Sequence, residues 1–385
     1  MIKLVSDTID RADINALIEW LSKEEIPILT KNKLTVELEK KWADKIGTKY
    51  SVFVNSGSSA ILLMLLSLKQ GNFLRNNKIV CPALSWATDV STPIILGFDT
   101  ILCDCNLTDL SCDLTELEKI FKEENPSCFI SVAPLGLVPE MEKLISLCEK
   151  YNVLLLEDIC ESLGSKYNGK HLGSFGFASV FSTYFGHHIS TIEGGFINTN
   201  DEQLYNMLVM TRSHGWDRDL NETNKEELRK KYNVSRFDAL YTFYVPGLNL
   251  RSTDLQAFIG LRSLDKIDKF SNIRNTNFKL YKSKIKNNNL DLQVQNDSFV
   301  SNFAYPIVSE KRDVIVNELI KNGVEVRPLI AGNMANKPFW YERYDRKEFK
   351  NANVIDRYGF YVPNHQDMTN EDIEYICKII NLQYE

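Results

Sequence analysis

A chain of 385 residues exceeds what one hydrophobic core usually organises, and 44% apolar with 25% charged residues is the composition of a folded protein of two domains. Its 45 Lys and Arg against 51 Asp and Glu leave a formal charge of -6, which argues against nucleic acid as a partner. Eight cysteines without a Cys-x-x-Cys pair point to reduced thiols used as small apolar residues, and no metal is expected.

The opening "MIKLVSDTIDRADINALIEWLSK" lacks the apolar core of a signal peptide and predicts a helix with Ile14, Leu17, Ile18 and Leu21 on one side. The longest apolar run, "AILLMLLSL" from Ala60, is too short to span a bilayer, so no membrane contact and a cytoplasmic location are expected. From about residue 50, short apolar runs alternate with amphipathic segments. "YSVFVNSG", "NKIVCPAL", "DTILCDCN", "SCFISVAP" and "VLLLEDI" read as strands. "SSAILLMLLSLKQG", "SWATDVSTPIILG", "LTELEKIFKEE" and "EMEKLISLCEKYN" between them read as helices. This α/β alternation predicts a three-layer sandwich with a mostly parallel central sheet, whose ligands sit at the carboxyl ends of the strands. After Gly195 follow a strand "FINTN", a helix "DEQLYNMLVMTRSHG", a polar surface excursion over 217–243 and a helix over 253–270. From about Ile273 the pattern shifts: "LDLQVQ" and "VSNFAYPIV" alternate, and "KRDVIVNELIKNG" and "VEVRPLI" read as helix and strand. The expected division is a large domain over 1–272 and a smaller C-terminal α+β domain over 273–385.

Three places between strands and helices carry chemistry. In "NSGSSA" the helix start and the serines can receive a phosphate, or serve as a plain N-cap. "LLLEDICES" ends a buried strand with Glu157 and Asp158. Asp158 can accept a hydrogen bond from a protonated ring nitrogen, or cap the next turn. Trp86 in "PALSWATDV" can stack on a planar ring, or pack as a half-buried aromatic.

Together with "FSTYFGHHISTIEGG", "RSHGW" and "PGLNLRSTDLQAFIG", these stretches resemble the pyridoxal-phosphate-dependent sugar aminotransferases, which act on nucleotide-linked keto sugars. The resemblance runs from about Ala12 to the C-terminus and implies a fold-type I pyridoxal enzyme. In that family the loop typically reads S-F-x-x-x-K-x-I-T-T-G-E-G-G. Counting back from Glu193-Gly194-Gly195 puts His187 at the lysine, and histidine there resembles the 3-dehydratase branch. An imidazole cannot tether the cofactor, but it can move protons near neutral pH. The resemblance thus implies non-covalent pyridoxal 5'-phosphate and pyridoxamine 5'-phosphate, with L-glutamate regenerating the amine form. It implies loss of the C3 hydroxyl from a nucleotide-linked 4-keto-6-deoxy sugar destined for surface polysaccharide. GDP is the expected nucleotide, and the sugar is a hexose or a heptose.

By the same resemblance His187 is catalytic. Gly57, Ser58 and Ser182 cradle the phosphate, Trp86 stacks on the ring, Asp158 meets its nitrogen and Glu161 lies near its oxygen. Asn249 would reach the phosphate of a second subunit, which implies a homodimer with shared sites. His214, Arg218 and Arg251 are candidate substrate residues, and His188 is read as structural. Two departures, Asn32 at a usual glycine and the surroundings of Gly136, fall where a sugar of altered size would be accommodated. A lysine-free aminotransferase and a non-catalytic sugar- or cofactor-binding regulator remain as alternatives.

Overall fold

The computed structural model describes residues 1–345 and 347–385. Seven strands form the main sheet: β1 (Tyr50–Val54), β2 (Lys78–Pro82), β3 (Asp99–Cys103), β4 (Cys128–Val132), β5 (Leu154–Asp158), β6 (Ala178–Ser182) and β7 (Gly195–Thr199). Their spatial order is β1-β7-β6-β5-β4-β2-β3. Only β7 runs against its neighbours. Helices cover both faces, so β4, β6 and β7 are buried at every position and read as unbroken apolar runs.

The helices Gly57–Gln70, Ala87–Ile95, Leu114–Glu124 and Met141–Tyr151 follow β1 to β4 in turn. Because β1, β2, β5 and β6 run the same way, the turns after Val54, Pro82, Asp158 and Ser182 collect on one edge of the sheet. Register pairs Ser182 with Gly195, so the loop between β6 and β7 hangs from that edge too. An aromatic stack anchors this side of the core: Trp42 lies 3.8 Å from Phe196 and Phe53 4.5 Å from it, centroid to centroid.

A second sheet, antiparallel, holds β8 (Ala304–Val308), β9 (Arg327–Pro328) and, between them, β10 (Gly359–Pro363). The helices Ile267–Lys284, Arg312–Lys321 and Asn370–Leu382 belong to this part of the chain. Several sequence expectations change here. The expected division at 272/273 falls inside the helix Ile267–Lys284, and the single helix expected over 253–270 is two, Asp254–Leu264 and Ile267–Lys284. "LDLQVQ" has no strand partner and stays irregular. The surface excursion carries the helix Glu222–Tyr232, none of whose residues is buried. In the helix Arg11–Leu21 the apolar side is largely open, with Ile18 56% exposed. Its one buried residue is Asp13, held by Arg262 at 2.8 Å and by Lys266.

All eight cysteines are free and seven are buried, and burial pushes the Cys128 and Cys148 thiols up to about 12. Among the described residues no cluster of His, Cys, Asp and Glu could hold a metal, and no helix is long and apolar enough to cross a membrane.

Candidate active site

The carboxyl edge of the main sheet opens into a cleft of about 570 Å³. Gly57, Ser58, Trp86, Asp158, Glu161, Ser182 and His187 all line it, and the second sheet adds Arg327 and Tyr361. Among the described residues no lysine does.

Ser56 caps the helix Gly57–Gln70, its Oγ accepting from the Ser59 N–H at 3.0 Å. A Cβ added at Gly57 would stand 2.7 Å from Ser182 Cβ and 3.1 Å from Ser182 Oγ. Glycine lets the helix start come up against β6, which puts first-turn amides beside a serine hydroxyl. Such an arrangement of helix-start amides and a hydroxyl can receive an anion. Trp86, N-cap of the helix Ala87–Ile95, is 57% exposed and lines the cleft. An aromatic this open gains from a planar ligand that covers it.

Adjacent strand residues face opposite ways, and the two acids ending β5 divide accordingly. Glu157 accepts from the N–H groups of Gly173, Phe175 and Gly176 at 2.8, 2.9 and 2.6 Å, and so fixes a turn. Asp158 faces the cleft, its Oδ1 accepting from the Cys160 N–H at 2.8 Å. Burial raises the Glu161 carboxyl to about 7, against a 3.0 Å hydrogen bond from the Leu135 N–H and with help from the charge of Asp158. Near neutral pH a substantial share of Glu161 is therefore a neutral acid able to donate, as an amide would.

His187 sits on the loop between β6 and β7, half-buried, its backbone N–H donating to the Tyr184 carbonyl at 2.9 Å. Burial lowers its pKa to about 4, the Arg274 charge adds to this, and the backbone of Cys160 works weakly the other way. The ring enters the cleft neutral, and its Nδ1 has no partner in the chain. His188 turns away, pairing its Nε2 with the Ser301 carbonyl at 2.9 Å, the structural role expected of it. Ile192, at the loop position where the family pattern has glycine, holds a left-handed φ of 73°.

A family model for the DegT/DnrJ/EryC1/StrS aminotransferases matches residues 7–381. The chain belongs to this family. It is 31% identical to GDP-4-keto-6-deoxy-D-mannose 3-dehydratase of Yersinia pseudotuberculosis, over 98% of this chain and 97% of that one. The solved E. coli GDP-4-keto-6-deoxy-D-mannose-3-dehydratase with bound hydrated PLP superposes with a TM-score of 0.89 at 28% identity, covering 99% of both chains. A mutant GDP-4-keto-6-deoxymannose-3-dehydratase with bound GDP-perosamine superposes equally well, at 28% identity over 99% of this chain and all of that one.

Four family-derived candidates do not reach this cleft. Asn249 is exposed, its Oδ1 accepting from the Arg251 N–H at 3.4 Å, and Arg251 stands with it outside the lining. His214 packs edge-on to Trp216 at 5.1 Å. The Arg218 guanidinium lies 3.6 Å from the Trp216 ring centre and donates to the Leu240 carbonyl at 2.7 Å. Sequence reading missed Arg327, Tyr361, Phe303 and Asp89, all on the cleft wall. A signal existed for the first: an arginine inside the apolar run "VEVRPLI". Asn32 has a φ of -153°, outside the left-handed region that favours glycine. Gly136 is required: its φ is 88° and a Cβ would meet the Ser301 carbonyl at 2.2 Å.

Proposed function

We propose that this protein removes the C3 hydroxyl of a GDP-linked 4-keto-6-deoxy sugar, giving a 4-keto-3,6-dideoxy sugar, with L-glutamate as cosubstrate. The observation that carries the reading is His187: a neutral imidazole at the family's lysine position, in a cleft lined by no lysine among the described residues. Bound pyridoxal phosphate or its amine form would supply the electron sink for loss of a hydroxyl next to the sugar's keto carbon.

The residues present fit that group. The close approach of Gly57 to Ser182 sets helix-start amides beside a hydroxyl on the cleft wall, which suits a phosphate, with Ser58 at the rim. Trp86 offers a face to a planar ring, and Asp158 an acceptor to a ring nitrogen. Glu161 in its protonated form offers a donor to a ring oxygen. His187 accepts a proton because it starts neutral, and as an imidazolium it hands that proton to the leaving hydroxyl. No side chain here would form a covalent tether, so the cofactor is exchangeable. Phe185, Phe303 and Tyr361 wall the cleft and limit water.

The assembly we propose is a homodimer. Asn249 is exposed and lies outside the lining of its own cleft, and the neighbouring excursion leaves Phe237, Tyr241 and Phe243 80%, 77% and 55% exposed, apolar surface suited to a second copy. A cytoplasmic location follows from the supply of nucleotide-linked sugars.

The test mixes the protein with pyridoxal phosphate, L-glutamate and GDP-4-keto-6-deoxymannose. Ammonia release with a sugar one oxygen lighter is expected. An amino sugar on the nucleotide would overturn the reading in favour of transamination.

A further inference from the structure

Asp158 has a second carboxylate behind it. Asp89, third residue of the helix Ala87–Ile95, is fully enclosed on the wall of the cleft. Its Oδ2 accepts from the hydroxyl of Ser85, which is equally buried. Its Oδ1 is buried and has no partner counted in the chain, and the Asp158 side chain lies within hydrogen-bonding reach of the Asp89 carboxyl group. Two ionised carboxylates side by side in a dry wall repel each other strongly. A proton on Asp89 Oδ1 removes the repulsion and gives the orphaned oxygen a partner.

We propose that Asp89 is a positioning residue of the cofactor site, a carboxylic acid whose Oδ1 proton is donated to Asp158 and fixes that side chain toward the ring nitrogen. The inference rests on the function proposed above. Asp158, which lines the cleft, is then anchored by the Cys160 N–H at 2.8 Å and by the Asp89 hydroxyl. The groups around Asp89 favour the protonated form. Asp158 and Glu161 bring negative charge from the end of β5 and the turn after it, and Cys81 on β2 and Cys160 are thiols. No cation is among them. The helix start that carries Asp89 favours a carboxylate. Burial and the Asp158 charge outweigh it and push the Asp89 carboxyl well above the usual range.

The test uses Asp89→Asn and Asp89→Ala. An asparagine can accept from Ser85 and donate to Asp158, so it mimics the proposed acid, whereas an alanine can do neither. In cofactor-free protein at pH 8, the infrared difference between wild type and Asp89→Asn should contain the carbonyl band of a protonated carboxyl group. Its absence overturns the proposal. In equilibrium dialysis with pyridoxal phosphate, Asp89→Asn should stay within about threefold of wild type, and Asp89→Ala should bind about tenfold or more weakly, as expected for a lost hydrogen bond to a charged group. Equal affinity in all three proteins overturns the proposal and leaves the proposed function standing. Wild type that binds no pyridoxal phosphate overturns both, and the infrared band still decides the protonation of Asp89 by itself.

Discussion

Exchanging His187 for asparagine removes an imidazole that the cleft holds neutral, and the stability of the cofactor-free protein should register the loss. The folded pKa lies at about 4, against 6.5 for an unperturbed histidine. Between these values the unfolded chain binds more protons than the folded one, so stability rises with pH and is lost on acidification. The full gap corresponds to about 3 kcal/mol, at 1.36 kcal/mol for each unit. Going from pH 7 to pH 4.5 exposes about 2 kcal/mol of it, since the folded group is by then partly protonated. His171, His188 and His365 also have lowered pKa values, but both proteins contain them and they cancel in the difference. Urea unfolding of both proteins at the two pH values measures this. The stability of His187→Asn relative to wild type should improve by about 2 kcal/mol on acidification. A difference that does not change with pH would refute the claim that the ring enters the cleft neutral, and with it the assignment of the imidazole as a base.

Glu161→Gln should leave pyridoxal phosphate binding intact below pH 6 and remove its weakening above pH 7, because ionising Glu161, raised to about 7, costs wild type its donor. Dialysis across that range checks it. Trp86→Ala should weaken pyridoxal phosphate by about 0.5–1.5 kcal/mol, a lost stack, with little change in melting temperature because the ring is 57% exposed. Ile192→Gly should stabilise the protein by about 1 kcal/mol in urea unfolding, since relief of left-handed strain, about 1–2 kcal/mol, exceeds the added freedom of the unfolded chain.

β1 to β5 were legible because they are largely buried runs bounded by turn residues and separated by helices, whereas β6 follows β5 with no helix between them and was not read as a strand. In the second sheet β8 falls in the alternating stretch, and the helix Arg312–Lys321 and β9 fall in the stretches read as helix and strand, but β10 went unread. β9 is two residues long and gains its partner only through β10, and nothing local in "GFYVP" marks a central strand. The cleft residues drawn from strand ends were legible for a topological reason: parallel strands deliver their following turns to one edge. Asp89 escaped because its role depends on Asp158, which lies 69 positions away in the chain and meets it only in the folded sheet. Asn249, His214, Arg218 and Arg251 came from pattern alone, and one chain does not bring them to its own cleft.

What lets residue 187 differ from the family pattern is that the loop does not depend on it. Thr183 and Thr191 join their hydroxyls at 2.6 Å and exchange a backbone hydrogen bond at 2.9 Å, which closes the loop at its base. The Thr183 N–H donates to the Gly194 carbonyl at 2.9 Å, and Gly194 has no room for a side chain, since a Cβ would meet Thr191 Oγ1 at 2.3 Å. Ser190 is held by Thr8 at 2.8 Å, and His188 ties the loop to Ser301. Residue 187 contributes only its backbone N–H, bonded to the Tyr184 carbonyl, to the frame of the loop, and its side chain lines the cleft. A lysine or a histidine there leaves every one of these bonds in place. The difference between them is therefore chemical rather than architectural: the amine would bind the cofactor's carbonyl carbon, whereas the imidazole can only take and give protons.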